Sequence, residues 1–397
     1  MALLMENKAK KKKILIMYDF FSEHGGIERI MLFQARTLKQ IGFDVHFAFA
    51  YVDDKLRAER LKDFPVIEYA KLPFKNETMQ ICTSILRPDI INKFRQFDLI
   101  ICHSFPASFL ALKIKKKFGI PYVFHLHHPP QFLYNTNLEW AKNSPKRMFS
   151  YIIGKIFNPF LKKFDSVSVE NADFYLTESK SVQRVIKETY GIEGTVLYPT
   201  YDNIFRILKK SELSKQSFIK GKFILASGRI IRQKRFDYLI EAFSKLKNKD
   251  AKLVFAGKYE EDMKKELLSL AENLAVKPIF LGPVPIQNLV KLYNLASLVV
   301  LTCPKEWFGL VTVEAMACGC PVVSWKDNYG PQEVIVNGKN GNLAEPYNIS
   351  DLANKIEIAL RKKWSKQIIR NSIQKFSEKV QQKVLISSLK GAFPRMF

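Results

Sequence analysis

Cysteine is scarce in this chain. Its 397 residues hold five (Cys82, Cys102, Cys303, Cys318 and Cys320), an odd number with no Cys-x-x-Cys pair. That excludes a disulfide scaffold and makes a reducing compartment the natural setting. The 17 glycines and 18 prolines are too few for a collagen-like or low-complexity chain. Long hydrophobic runs are also lacking. The nearest to one, Trp307 to Trp325, carries Glu314 and is punctuated by Gly309, Gly319 and Pro321. It reads as a buried helix–turn–strand, not a membrane span. The weakly apolar Met1 to Met5 precede Lys8 to Lys13, the wrong order for a signal peptide, so secretion is not expected.

Negative charge is in the minority: 38 acidic against 63 basic residues, a net of +25. The excess is uneven. Residues 101–150 carry seven basic side chains and one acidic (7 − 1 = +6), whereas residues 301–350 carry three and five (3 − 5 = −2). A basic chain suits nucleic acid, anionic lipid headgroups or phosphorylated substrates, or is simply a lysine-rich solvated surface. No paired Cys/His zinc spacing, basic heptad or Gly-Phe sheet signature accompanies the charge, so nucleic acid is not the expected partner.

What the chain does have is globular composition, 47% apolar and 25% charged, and length for two to three domains. Short apolar runs alternate with amphipathic segments, the mark of parallel strands with crossover helices. In the first half, strands are expected at Ile14–Tyr18, Val45–Tyr51, Leu99–Cys102, Tyr122–Leu126, Phe174–Leu176 and Thr195–Tyr198. Helices are expected at Ile27–Ile41, Thr78–Phe97 (bent or broken at Pro88) and Ala107–Phe118. The pattern fails from His128 to Lys146, which reads as a functional loop, and Arg147–Phe164 is amphipathic. Tyr201–Gly221 is polar and lacks a period, and marks the boundary. The rhythm then restarts with Phe223–Ala226, Leu253–Ala256, Ile279–Leu281, Leu298–Leu301 and Val322–Val323 as strands. The expected class is α/β: two Rossmann-like domains facing across a cleft, at 1–205 and 206–370. A helical tail, 371–397, is expected to pack back on the first. Ligands of such sheets bind at the carboxyl ends of the strands.

Four clusters could carry chemistry. Gly25-Gly26-Ile27-Glu28 opens the first helix, where close backbone approach and the helix dipole favour a phosphate. It could equally be a plain strand-to-helix turn. Ser227-Gly228-Arg229-Ile-Ile-Arg232-Gln-Lys234-Arg235 places four cations at a strand's carboxyl end, suited to a polyanion or else merely solvated. Glu306 and Glu314 flank a buried strand's exit. Their carboxylates can accept sugar or ribose hydroxyls, and the Phe308-Gly309-Leu310 backbone can face an anion. They could equally be helix-capping acids. Finally, His125-Leu-His127-His128 ends a strand. With no third-ligand spacing, one active-site imidazole is a better reading than a metal. His103 is expected to be a core histidine satisfied by the backbone.

In combination these residues resemble the family-4 retaining glycosyltransferases. The match rests on Gly25-Gly26-x-Glu28, on Ile120-Pro121 before the strand ending in His127, and on Gly228-Arg229 with Lys234 and Asp237-Tyr-Leu-Ile-Glu-Ala-Phe243. It continues through Glu306-x-Phe-Gly-Leu…Glu314-Ala-Met-Ala-x-Gly-x-Pro-Val and Asn340-Gly-Asn-Leu343, nearly the whole chain. Within the family, His127-His128-Pro129-Pro130-x-Phe132-x-Tyr134 is similar to the loop of mannosyltransferases that extend lipid-linked or polysaccharide glycans. The resemblance implies a GT-B fold, a nucleotide-sugar donor held by the second domain, and no cofactor or catalytic metal. It implies that Arg229 and Lys234 bind the diphosphate, with Ser227 and Gly228 beside them. Glu314 would bind ribose, and Glu306 with the 308–310 backbone the sugar. His127 would face the reacting sugar, and Gly25, Gly26 and His128 the acceptor side. Trp307 departs from the family's usual small residue or proline, and Tyr329-Gly330-Pro331-Gln-Glu333 matches a Gly-rich segment only in part.

The expected function is retaining transfer of a hexose, GDP-mannose first, to a lipid-linked or glycan acceptor. The expected location is cytoplasmic, with an anionic membrane surface as a candidate partner. Alternatives are a UDP-sugar-dependent transferase, or an epimerase or phosphorylase on the same architecture. From another class, the alternative is a basic nucleic-acid-binding protein, whose binding would fall steeply with salt.

Overall fold

The computed structural model describes residues 11–22, 25–70, 88–134, 145–213, 219–247 and 250–397. Parts of four sequence expectations lie outside these residues: the lysines up to 10, the first part of the helix expected at Thr78–Phe97, 135–144 of the loop, and 214–218 of the boundary segment.

Two parallel sheets organise the chain. The first has strands β1 (Lys13–Phe21), β2 (Asp44–Val52), β3 (Val66–Glu68), β4 (Leu99–His103), β5 (Tyr122–Leu126), β6 (Phe174–Thr177) and β7 (Thr195–Val196), in the order β3-β2-β1-β4-β5-β6-β7. The second has β8 (Phe223–Ser227), β9 (Lys252–Ala256), β10 (Ile279–Phe280), β11 (Leu298–Val300), β12 (Val322–Trp325) and β13 (Gly341–Ala344), in the order β10-β9-β8-β11-β12-β13. In each, sequence order reverses beside the first strand laid down, which opens a crevice at the strands' carboxyl ends. The central strands are apolar throughout because helices cover both faces. Ile14, Leu15, Ile16 and Met17 of β1, for example, are all buried.

Five helices bear on the site: α1 (Gly26–Gln40), α2 (Pro145–Glu170), α3 (Lys180–Tyr190), α4 (Leu310–Ala317) and α5 (Glu378–Ala392). The Ser179 hydroxyl starts α3 by accepting from the Val182 amide at 3.1 Å, and Gly191, at φ 71°, ends it. In α5, Leu385 and Leu389 enter the core of the first sheet, and Phe397 packs edge-on against Phe43. So the chain crosses between domains twice. From Pro88 the structure has a 3-10 helix, Pro88–Phe94, where the sequence suggests the second part of a helix, to Phe97, bent or broken at that proline. Among the described side chains of α2, Phe164 stacks on Phe109, while Ile152 and Phe160 face solvent.

Candidate active site

The cleft is built where β8, β11 and β12 end opposite β1, β4 and β5. Beyond β8 the chain turns at Gly228 (φ 122°), which donates its amide to Ala256. Gly257, at φ 153°, packs on the Gly228 carbonyl so closely that any side chain would collide with it. This pins the loop that carries Arg229 and Lys234. The Ser227 hydroxyl bonds Tyr293 Oη at 2.7 Å. Thr302 Oγ1 donates to the Lys234 carbonyl at 3.0 Å and sets the lysine's direction. The Lys234 ammonium then meets the Glu306 carboxylate as a hydrogen-bonded ion pair. Arg229 is exposed at the rim and adds its charge to both partners.

Glu306 sits in the loop before α4. Gly309 takes φ 78°, and Gly330 presses on the Phe308 backbone where a side chain would not fit. The Gly330 amide donates to the Glu306 carbonyl at 2.9 Å. These glycines hold the Phe308–Leu310 backbone at the amino end of α4, whose dipole favours an anion. Glu314, one turn into α4, is buried and lies 3.5 Å from Tyr293 Oη. It pairs with the Arg29 guanidinium of α1, across the domain boundary. A Cβ at Gly26, at the amino end of α1, would stand in ordinary contact with Leu310 at the amino end of α4, so the two helix N-termini lie close together.

The two carboxylates differ electrostatically. Burial pushes Glu306 up, but the Lys234 charge and its hydrogen bond outweigh this, and the carboxyl ends below its ordinary range. Burial also pushes Glu314 up, and here Arg29 offsets only part, so the carboxyl ends above it. Lys234 in turn stays firmly protonated: burial lowers it, and Glu306 more than compensates.

On the first domain the histidines sit only partly as the sequence suggests. Parallel register places His103 beside His125, and His127 follows two residues on. His103 is a core histidine, but side chains satisfy it, not the backbone: Nδ1 meets His127 Nε2 and Nε2 meets Gln34 Oε1, both at 2.9 Å. His127 is 1% exposed, with Nδ1 at 2.9 Å from Glu178 Oε2. Both of its ring nitrogens are thus engaged inside the domain. The imidazole at the cleft is His128, which stacks on Trp307 with centroids 5.6 Å apart.

Trp307 and Glu333, the second of them in the segment that matches the family only in part, tie the domains together. The Trp307 carbonyl accepts from Ser179 Oγ at 2.8 Å and Ser181 Oγ at 3.2 Å. Glu333 accepts from the Lys180 and Ser181 amides at 3.0 and 2.8 Å, capping α3 from the other domain, and from Tyr198 Oη at 3.0 Å. Sequence reasoning also missed Arg29, Gln34, Glu178 and Asp19. Asp19 is a buried carboxyl at the end of β1, pushed up to about 7 by burial. It accepts from the Ala107 amide at 3.2 Å. A small hollow opens beside Arg29 and Leu310, between Arg36, Arg60, Asp202 and Glu378, and neither Lys234 nor Glu306 lines it.

Comparisons with known proteins bear on the family and the fold. Residues 24–203 match the model of Glycosyltransferase Family 4, and residues 209–380 that of glycosyl transferases group 1. The chain is 30% identical over 298 residues to an uncharacterized glycosyltransferase of Methanocaldococcus jannaschii, covering 70% of each protein. It is 25% identical over 362 residues to the mannosylfructose-phosphate synthase of Agrobacterium fabrum, covering 83% of this chain and 77% of that one. Among solved structures, Anabaena HepE in complex with UDP and glucose superposes with a TM-score of 0.73 at 20% identity, over 96% of this chain and 100% of that one.

Proposed function

The chain belongs to the family-4 glycosyltransferases, with a group 1 domain as its second half, and on that premise we propose that it transfers a hexose with retention of configuration, from GDP-mannose first, to a lipid-linked or glycan acceptor. The observation that carries this reading is the Lys234–Glu306 pair at the carboxyl end of β8, beside Arg229 and the amino end of α4. The donor diphosphate takes the cations Arg229 and Lys234, with Ser227 and Gly228 as their base. Glu306 and the Phe308–Leu310 backbone hold the sugar. Ribose hydroxyls take the place of Arg29 on Glu314. Gly25, Gly26 and His128 line the acceptor side, and His127 lies buried behind them on the side of the reacting sugar.

In the chemical step the bond from C1 to the phosphate oxygen breaks while the acceptor oxygen bonds C1 on the same face. The acceptor's proton passes to the departing phosphate oxygen, so no protein nucleophile is needed. Fixed cations and a helix N-terminus stabilise the leaving diphosphate, and the scheme calls for no divalent metal. Mannose is favoured by the likeness to mannosylfructose-phosphate synthase. The UDP and glucose bound by HepE make UDP-glucose the second donor to test.

No described helix is long and apolar enough to cross a membrane. The solvent-facing Ile152 and Phe160 of α2, near Lys162 and Lys163, support docking on the anionic cytoplasmic face of a bilayer. Flotation with anionic vesicles tests that docking, and protein left at the bottom at low salt removes it. For the donor, a thermal-shift panel of GDP-, UDP- and ADP-sugars is decisive. A ligand at 100 times its Kd stabilises by about 2.7 kcal/mol. The largest shift is expected with GDP-mannose, and a larger one with UDP-glucose would reassign the donor.

A further inference from the structure

Beneath the site, five polar side chains of the first domain form one unbroken chain. Glu178 Oε2 meets His127 Nδ1 at 2.9 Å, and His127 Nε2 meets His103 Nδ1 at 2.9 Å. His103 Nε2 meets Gln34 Oε1 at 2.9 Å, and Gln34 Nε2 meets His125 Nδ1 at 2.8 Å. All five residues are buried, and His125 Nε2 has no partner. The groups around it are Glu178, the three imidazoles themselves, His128, and the Tyr18 ring against the edge of His103.

Each link needs one donor and one acceptor. The Glu178 carboxylate only accepts, so His127 donates from Nδ1. The Gln34 oxygen only accepts, so His103 donates from Nε2. Burial, then the neighbouring His127, holds His103 well below its ordinary range and therefore neutral. Its Nδ1 is bare and accepts from His127 Nε2–H. His127 then carries both ring protons and is an imidazolium paired with Glu178. Turning the Gln34 amide over reverses the three links from His127 to His125 together. In that arrangement His103 donates to a neutral His127, Gln34 donates to His103, and His125 donates to Gln34. The two arrangements differ by one proton. The partnerless His125 Nε2 carries a hydrogen in the first and none in the second, so it obstructs neither.

We propose that Glu178, His103 and Gln34 are positioning residues that make the charge on His127 and the orientation of the Gln34 amide a single two-state variable. The inference rests on the reading above, in which His127 stands behind the reacting sugar. The charged state sets a positive group on the first-domain wall, opposite where the diphosphate departs. The same three imidazoles could be taken for a metal triad, since their nitrogens lie within 4.8 Å of one another. Two nitrogens on a tetrahedral zinc stand about 3.3 Å apart. The 2.9 Å contact between His103 and His127 is a direct hydrogen bond and leaves no room for an ion between them.

The test is NMR of the full chain carrying ¹⁵N-histidine. In the native protein His127 is expected as imidazolium and His103 as the neutral form protonated at Nε2. Glu178→Gln is expected to neutralise His127 and, in the same spectrum, move the His103 proton to Nδ1. It should lower kcat roughly tenfold with donor KM within about twofold. A His103 tautomer that stays fixed while His127 changes charge overturns the proposal, as does a spectrum that does not move. So does stoichiometric Co²⁺ binding with a tetrahedral absorption band that His103→Ala abolishes. Should Glu178→Gln lose its near-ultraviolet circular dichroism, Gln34→Met is read instead. It should keep the His127–Glu178 signature and release the tautomers of His103 and His125, and unchanged tautomers count against the chain. Lys234→Ala separates the two readings: lost transfer with a native histidine spectrum is the expected result. Full activity there would sink the reaction scheme and leave the histidine chain standing.

Discussion

The two cation–carboxylate pairs of the cleft look alike and are built differently. Lys234 and Glu306 belong to one domain, on adjoining strand ends fixed by Thr302, Gly257 and Gly330. Arg29 and Glu314 belong to two domains, and their contact exists only while α1 faces α4. The first pair drives its carboxyl down, and the second leaves its carboxyl raised. A pair inside one rigid body can serve as a preset charge for chemistry. A pair across a boundary reports how the bodies stand to each other.

The largest effect expected from breaking this contrast is on Lys234. Lys234→Ala should cut initial rates by about 100- to 1,000-fold with native circular dichroism, because a preset donor to the leaving group is gone. Next, a double-mutant cycle on Lys234 and Glu306, read by urea unfolding, should give a coupling of about 1–3 kcal/mol. The same cycle on Arg29 and Glu314 should give about 1 kcal/mol, and the donor should shrink it further by taking over Glu314. Equal couplings that ignore the donor would erase the distinction. Acid sharpens it. Glu306 has a lowered folded value, so its contribution is present above the ordinary carboxyl range and is lost as pH falls through that value. Glu314 has a raised value, so its penalty grows as pH rises. Unfolding of Glu306→Gln and Glu314→Gln from pH 3 to 7 should therefore diverge in opposite directions from the native chain. The smallest effect concerns Asp19. Its folded value of about 7 lies above the unfolded 3.8, so native stability declines between these pH values. Asp19→Asn should gain on the native chain over that window and then run parallel, as measured by urea midpoints.

The same contrast explains what could be read in the sequence. The α/β rhythm was legible because buried parallel strands are nearly continuous apolar runs, as in Ile14–Met17 and Leu99–Cys102. Lys234 and Glu306 were legible because each lies in the loop that leaves such a run, where a crevice must open. Arg29 was not, because its partner lies 285 residues away and depends on how two domains meet. The histidine chain was hidden for another reason. It depends on β4 and β5 aligning His103 with His125, and on a glutamine buried on the inner face of α1, where polar residues are seldom expected. Trp307 read as a blemish in a motif. Only the structure shows its ring against His128 and its carbonyl between two serines.

Helix α5 lends Leu385 and Leu389 to the core of the first sheet although it is translated after the whole of the second. During synthesis, then, the first domain waits on the ribosome with a hole in its side. The second domain's core draws its last members, Ile369, Ile373 and Phe376, from just upstream of that helix. The domain whose translation starts first is therefore the last to have its core residues supplied.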